Sequence, residues 1–244
     1  MTYCLGILLP QGLVLASDSR SNAGVDQVQS VSKLAVLARP GRRVITVQSQ
    51  GNLATTQSVV TQLRQAAGSG EPGWDVDLAK SLFDVARIVG DKLREVVERE
   101  AKFVQPYGDP SASFLVAGQI DDEPPRLFQI YSAGNFIEAS ARSPFLQIGE
   151  TKYGKPILDR GLKADSSLDH AAKLALMSFD ATLRSNLSVG MPIDMFRYEA
   201  DSFSTANFAT LEEDNAYWRL LRDDFGGGLM ALVDSLPAPP KMFK

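Results

Sequence analysis

Cysteine and histidine are nearly absent from this chain of 244 residues, which holds one of each, Cys4 and His170. A single cysteine cannot form a disulfide within the chain, and zinc sites and histidine-based triads need more thiolate or imidazole groups than this. We therefore expect no metal and no cofactor. Cys4 lies in an apolar run and is expected in the core, whereas His170 follows Leu168 on a helical pattern and is expected to be a surface or packing residue.

Two further features are missing, an excess of positive charge and a long hydrophobic run. Acidic residues outnumber basic ones by 29 to 25, which gives a net charge of −4 and argues against a nucleic-acid partner. No apolar stretch approaches the roughly 18–20 residues that cross a bilayer, so no membrane segment is expected. Residues 1–9 lack the basic segment and cleavage site of a secretory signal, and we expect a cytoplasmic protein.

What the sequence does contain is a regular succession of strand and helix patterns. Short apolar runs at 3–9 and 12–18 predict a first hairpin, and runs at 31–37 and 43–47 predict a second, turning at 39–42. Helical periodicity follows over 51–67 and 76–102. Four short strand patterns at 113–120, 126–131, 135–140 and 145–149 predict a meander. Next come a helix at 167–183, an extended segment at 191–198 and a terminal helix at 211–224.

This order predicts one α+β domain over residues 1–244, in which two antiparallel sheets pack face to face between outer helices. The expected architecture is a four-layer αββα sandwich. Residues 212–244 exceed what such a core needs, and we expect this C-terminal extension to take part in assembly.

The second residue, Thr2, carries the clearest chemical signal. If Met1 is removed, Thr2 presents a hydroxyl nucleophile beside its own α-amine, whose pKa of about 7.7–8 suits a general base. Methionine aminopeptidase removes Met1 before small residues such as threonine, so this activation needs no propeptide.

Several separated motifs resemble one protein family. Thr2-x-x-x-Gly6-Ile7, the strand end at 16–20, Lys33 and the segment 49–57 resemble the proteasome β-type subunits of the N-terminal-nucleophile hydrolases. More narrowly, the segments 2–7, 17–24 and 148–160 resemble the Anbu branch, the bacterial ancestral β subunit. The resemblance covers the whole chain. It implies a bacterial, cytoplasmic threonine peptidase or amidase that acts through an acyl-enzyme on peptides or unfolded proteins.

The resemblance also implies a role for each site residue. Thr2 is the nucleophile, and Lys33 places a positive charge beside the developing alkoxide. Asp18 holds and orients Lys33. The backbone N–H of Gly51, at the start of a helix, supplies the oxyanion hole. Ser188 is the partner of the α-amine.

The chain departs from the family pattern around that amine. Glu150, followed by Thr151, stands where typical subunits have a serine, and Ser185 replaces an aspartate that precedes Ser188 by three residues. Activity on ordinary peptides is therefore expected to be weak.

The resemblance further implies a primary specificity pocket and an assembly. The pocket residues are small or uncharged, so an apolar or small substrate side chain is expected there. They are Ser21, Val31, Ala35, Ser49 and Leu53. The assembly is a homo-oligomeric ring, either closed or open and helically offset.

Two alternatives for the function stay open. One is a ring-forming scaffold or binding protein whose hydrolase activity is weak or vestigial. The other rests on Ser30-Val31-Ser32-Lys33, which matches the serine-x-x-lysine motif of penicillin-recognising enzymes but lacks its helical context and partner motifs. The glycines at 226–228 form neither a P-loop nor a dinucleotide fingerprint and are expected to end a helix.

Overall fold

The computed structural model describes residues 1–22 and 28–240. Residues 23–24 of the second Anbu-like motif and residues 241–244 of the C-terminal extension lie outside this part. The strands are β1 (Tyr3–Leu9), β2 (Gly12–Asp18), β3 (Arg20–Asn22), β4 (Val28–Ser30), β5 (Leu34–Arg39), β6 (Arg43–Gly51), β7 (Ala112–Ile120), β8 (Arg126–Ile130), β9 (Phe136–Glu138), β10 (Phe145–Gly149), β11 (Ile193–Glu199) and β12 (Phe208–Leu211). The helices are α1 (Leu53–Ala66), α2 (Leu82–Val104), α3 (Thr151–Gly161), α4 (Leu168–Ser185) and α5 (Ala216–Ser235).

Two five-stranded antiparallel sheets form the centre of the molecule. The first has the order β10-β1-β2-β11-β12 and the second the order β5-β6-β7-β8-β9. One apolar cluster lies between the sheets, a second joins β6, β7 and β8 to α1 and α2, and a third joins β1, β2 and β11 to α3, α4 and the start of α5. The structure therefore confirms the predicted α+β sandwich of four αββα layers.

The first hairpin that carries the site is as predicted, whereas the first arm of the second is shifted from 31–37 to Leu34–Arg39, so that Lys33 directly precedes it. In the first, β1 and β2 pair from Cys4↔Ser17 to Leu9↔Gly12, with the bounds that the apolar runs indicate. In the second, β5 and β6 pair from Leu34↔Gln48 to Arg39↔Arg43. The ends of β2 and β6 thereby lie near the start of β1, where Thr2 stands.

The predicted four-stranded meander is wrong in its last strand. β7, β8 and β9 do pair in succession, but β10 crosses to the other sheet and pairs with β1 in the register Tyr3↔Gly149. Alternation along a strand shows that it is half-buried but does not identify its neighbour. Gly149 has φ +87°, and a Cβ there would lie 1.8 Å from the carbonyl oxygen of Thr2, so this close approach requires glycine.

Helix boundaries differ from expectation in several places. The terminal helix begins at Ala216 instead of 211, because Leu211 belongs to β12 and Asn215 caps the helix by accepting the amide of Trp218. α2 begins at Leu82 instead of 76, because Ser81 caps it by accepting the amide of Asp84. The sequence pattern does not predict α3, since Pro156 and two glycines weaken its helical periodicity. The expectation that residues 226–228 end a helix is wrong: α5 continues through them to Ser235. Glycine disfavours a helix by only about 1 kcal/mol per residue, and strong helix formers follow.

None of the helices in the described part of the chain is long and apolar enough to cross a membrane.

Candidate active site

Thr2 lies directly before β1, at the edge of a cavity of about 730 Å³. Its carbonyl oxygen accepts the amide of Glu150 at 2.8 Å, which fixes the backbone of the residue against the end of β10. Thr2 is nearly buried, whereas Met1 is exposed and also lines the cavity. Loss of Met1 would therefore leave the α-amine of Thr2 at the cavity wall.

Asp18 is the last residue of β2 and is inaccessible to solvent. Its Oδ1 atom accepts from Nζ of Lys33 at 2.8 Å and from the amide of Tyr3 at 3.0 Å, and its Oδ2 atom accepts from the amide of Gly190 at 3.3 Å. Burial raises the pKa of Asp18 above its usual value, and the Lys33 ammonium and the amide donors oppose that rise. Asp18 thus contacts both Lys33 and the backbone amide of Tyr3, the residue that follows Thr2.

Lys33 precedes β5 and is held from several directions. Its carbonyl oxygen accepts the amide of Ser49 at 3.0 Å, which ties it to the end of β6. Its ammonium group donates to Asp18 and to the carbonyl oxygen of Arg20, the latter at 2.5 Å. Thr2 and Lys33 line the same cavity, so a fixed positive charge faces the space beside the threonine.

Gly51 ends β6 and adopts φ +112°, a conformation that side-chain-bearing residues rarely take. A Cβ there would lie 2.4 Å from the carbonyl oxygen of Ser111. The next residue, Asn52, caps α1 by accepting the amide of Thr55 on its side chain. Gly51 therefore stands at a helix N-terminus on the cavity wall, where the helix dipole favours negative charge.

Tyr3, the residue next to Thr2, has no role that the sequence pattern indicates. Its side chain is fully buried beneath the site, where its hydroxyl shares a hydrogen bond with that of Ser178 at 3.1 Å and accepts Nε2 of Gln147 at 2.5 Å. Burial raises the pKa of Tyr3 to about 12. Gly154 lies so close to Tyr3 that a Cβ on it would be 2.7 Å from this hydroxyl. The segments 2–7 and 148–160, which both resemble the Anbu branch, therefore contact each other at these two residues.

Arg20 is a second residue to which sequence reasoning gave no role. Its Nη1 atom donates to the carbonyl oxygen of Leu187 at 2.7 Å, and its guanidinium packs so tightly on Gly190 that a Cβ there would lie 2.1 Å from Nε. The carbonyl of Arg20 meanwhile accepts from Lys33. Arg20 thus contacts Lys33 through its carbonyl oxygen. Through its side chain it contacts the loop of Leu187 and Gly190, and the amide of Gly190 donates to Asp18.

The residues around the expected amine partner lie in that same loop and at its borders. Ser188 is half-buried and donates its amide to Oδ1 of Asn186 at 2.9 Å, two residues before Gly190. Ser185 is exposed at the last position of α4. Glu150 presents its carboxylate to Lys152 at 3.8 Å. Of these three, only Ser188 belongs to the loop that contacts Asp18.

The cavity contains all five residues that the sequence suggested for the specificity pocket. They come from the segments before and within β5, the end of β6 and the start of α1, namely Ser21, Val31, Ala35, Ser49 and Leu53. Within residues 1–22 and 28–240, no cluster of histidine, cysteine and carboxylate side chains has the arrangement of a metal site. Hydroxyl, amine and backbone groups line the cavity, among them those of Thr2, Lys33 and Gly51.

The comparisons with known proteins agree with this geometry. A family model described as proteasome subunit matches residues 2–196. The Anbu (ancestral beta-subunit) structure from Yersinia bercovieri is 44% identical, with 98% of each chain covered and a TM-score of 0.92. A structure described as the helical assembly of the Anbu complex from Pseudomonas aeruginosa is also 44% identical, with a TM-score of 0.94 over 99% of this chain and 100% of that chain.

A more distant relative points to the same family. Proteasome subunit beta 2 of Pyrobaculum calidifontis is 27% identical over 192 residues, which cover 78% of this chain and 85% of the relative. The match of the family model and the likeness in sequence and structure lead to one assignment. The chain belongs to the proteasome subunit family, in its Anbu branch.

Proposed function

We propose that this protein is a threonine hydrolase of peptide amides, with Thr2 as its nucleophile once Met1 has been removed. The observation that carries the proposal is the position of Lys33. Its ammonium group is fixed by the buried carboxylate of Asp18, 2.8 Å away, and it lines the same cavity as Thr2. Burying an ion pair costs free energy, because both charges lose their contact with water. A role in catalysis explains why such a pair lies beside Thr2.

In the first half of the reaction, the α-amine of Thr2 takes the proton of its hydroxyl while the oxygen attacks the substrate carbonyl. The resulting oxyanion accepts a hydrogen bond from the backbone N–H of Gly51. As the carbon–nitrogen bond breaks, the α-ammonium returns the proton to the leaving amine. An ester between the substrate acyl group and Thr2 remains.

In the second half, the α-amine activates a water molecule in the same way. The water oxygen attacks the ester carbonyl, and the proton passes through the amine to the hydroxyl oxygen of Thr2 as that bond breaks. A carboxylic acid leaves and Thr2 is restored. Lys33 favours both tetrahedral intermediates because its positive charge is fixed by Asp18 before the reaction begins. Ser188 acts as a hydrogen-bonding partner of the α-amine.

The substrate is an extended peptide or an unfolded protein, and the location is the bacterial cytoplasm. The lining at Ser21, Val31, Ala35, Ser49 and Leu53 favours a small or apolar side chain next to the scissile amide. Glu150 and Ser185 stand where the family pattern has a serine and an aspartate, and the loss of those two groups beside the amine keeps turnover low.

The active form is a homo-oligomer in a ring or helical arrangement, and the similar Anbu complex from Pseudomonas aeruginosa forms a helical assembly. The first turns of α5 belong to the core, where Trp218 is buried and Arg222 donates to Oδ1 of Asp180 at 3.0 Å. The rest of the helix exposes a row of apolar side chains that a second copy would cover. These are Leu229, Met230, Leu232, Val233 and Leu236.

Size measurement tests the assembly. Leu229→Glu places a charge in the exposed row and is expected to reduce the size of the assembly in solution. Phe103→Glu is the control, because Phe103 is also an exposed apolar residue but lies on α2. An unchanged size for Leu229→Glu would contradict the role of α5.

Hydrolysis of fluorogenic peptide amides tests the activity. Protein without Met1 is expected to release the fluorophore, and Thr2→Ala is expected to abolish release. Thr205→Ala, an exposed threonine outside the cavity, is the matched control and is expected to act like the wild type. Equal rates for Thr2→Ala and the wild type would instead favour the scaffold alternative.

A further inference from the structure

The cavity next to Thr2 has a one-sided charge. The charged residues that line it are Arg20, Lys33 and Arg64, and all are basic. Among residues 1–22 and 28–240, no aspartate or glutamate lines it. The chain as a whole carries more acidic than basic residues, so its average composition does not account for this lining.

Two of the three cations are already engaged within the protein. Lys33 donates to Asp18, and the guanidinium of Arg20 donates to the carbonyl oxygen of Leu187. Arg64 differs from both. It is exposed in the last turn of α1, and within the described residues no carboxylate lies within ion-pair distance of it. α1 itself contains no acidic residue.

One face of α1 forms a continuous wall from the site of reaction to Arg64. The residues of α1 that line the cavity follow the three- and four-residue spacing of a helix face. They are Leu53, Thr56, Gln57, Val60, Thr61 and Arg64. Because a helix rises about 1.5 Å per residue, Arg64 lies roughly 16 Å along this wall from Leu53, next to the proposed oxyanion site. An extended peptide covers that length with about five residues.

We propose that Arg64 binds a carboxylate of the substrate about five residues from the scissile amide, so that the cleft selects acidic peptides. The carboxylate belongs to an aspartate or glutamate side chain or to the peptide's own C-terminus. This inference rests on the proposed function for the position of the scissile amide, but binding itself needs no turnover. An arginine at the rim of a cleft adds mainly selectivity, since exposed ion pairs are weak.

Peptide binding to the full-length Thr2→Ala protein tests the inference without catalysis. The probes are fluorescein-labelled decapeptides of alanine, serine and glycine with an amidated C-terminus, in which one glutamate is moved through each position. The matched peptides have glutamine instead. At one position, the glutamate peptide is expected to bind roughly fivefold more tightly than its glutamine partner at low salt. The difference should fall as the salt concentration rises.

A second variant assigns the effect to Arg64. Arg64→Gln in the Thr2→Ala background is expected to remove the preference for glutamate, whereas Arg99→Gln is expected to keep it. Arg99 is an exposed arginine of α2 outside the cavity. A preference that survives Arg64→Gln, equal binding of glutamate and glutamine peptides, or no binding of any peptide would overturn the inference.

Failure of the proposed hydrolysis and failure of the role of Arg64 would give different experimental results. If the glutamate preference depends on Arg64 but the wild-type protein cleaves none of these peptides, this inference stands and the proposed hydrolysis fails. If the wild type cleaves glutamate and glutamine peptides at equal rates, the hydrolysis stands and the role of Arg64 is overturned.

Discussion

The ammonium nitrogen of Lys33 lies 2.8 Å from Oδ1 of Asp18, with the lysine side chain 8% exposed and the aspartate 0%. Asp18 ends β2 of one sheet, and Lys33 directly precedes β5 of the other. The pair therefore joins the two central layers at the cavity, and its partners extend to Tyr3 and Gly190.

Lys33→Met is expected to destabilise the protein as well as remove activity. It leaves the buried Asp18 without its cation, and breaking one side of such a pair typically costs about 3 kcal/mol. Urea unfolding measures this change in the free energy of unfolding. Asp18→Asn combined with Lys33→Met is expected to be less destabilised than Lys33→Met alone, because no uncompensated charge remains. Additive losses in the double variant would show that the two side chains do not interact.

Gly51→Ala is expected to lower stability by about 2 kcal/mol and to abolish hydrolysis. The new Cβ meets the carbonyl oxygen of Ser111, so the backbone that carries the proposed oxyanion donor has to move. Gly41→Ala separates this contact from simple backbone strain, since Gly41 also has a positive φ but has open space around it. Thermal unfolding and peptide hydrolysis should both distinguish the two variants; equal behaviour would contradict the role assigned to the contact at Gly51.

Tyr3 should make stability depend on pH at the alkaline end. Its pKa is raised from 10.0 to about 12 in the folded protein, so the folded state holds the phenol proton more tightly than the unfolded state. This contribution is fully present below pH 10 and is lost as the pH rises from 10 to about 12.

Urea unfolding of the wild type and of Tyr3→Phe measures this contribution. The difference in their free energies of unfolding should stay constant below pH 10 and then shift against the wild type by roughly 2–3 kcal/mol. A constant difference across the whole range would show that Tyr3 does not titrate as described.

The sequence contains enough information to predict the first hairpin closely and the second hairpin with its first arm shifted by about three residues. The runs that form β1 and β2 are continuous and apolar, and the Asp18, Lys33 and Gly51 positions each occur in a motif with a fixed place on a strand end. The structure brings Asp18 and Lys33 into contact, as the resemblance implies. The roles of Thr2, Asp18, Lys33, Gly51 and Ser188 in catalysis stay predictions.

Other features depend on contacts between distant segments and could not be read from local patterns. β10 alternates like its neighbours in the chain, but its partner is β1, and this pairing brings Gly149 close to Thr2. In the sequence Tyr3 is an ordinary strand residue. In the structure its hydroxyl makes hydrogen bonds with Ser178 of α4 and Gln147 of β10.

Ser188→Ala is expected to slow hydrolysis by about tenfold, because the α-amine loses a proposed hydrogen-bonding partner. Its effect on the free energy of unfolding should be small, since the side chain is only half-buried. Ser185→Ala is the matched control and should leave the rate unchanged, because Ser185 is exposed at the end of α4. A rate for Ser188→Ala equal to that of the wild type would exclude Ser188 from the site.

The most direct test of the central claim is the mass of the native protein before and after treatment with a β-lactone. The native protein is expected to have a mass lower than that of the encoded chain by one methionine residue. Treatment should then add one inhibitor molecule, located on the N-terminal peptide at Thr2 and absent from Thr2→Ala. A protein that has lost Met1 yet stays unlabelled, or that is labelled at another residue, would contradict the claim that Thr2 is the nucleophile.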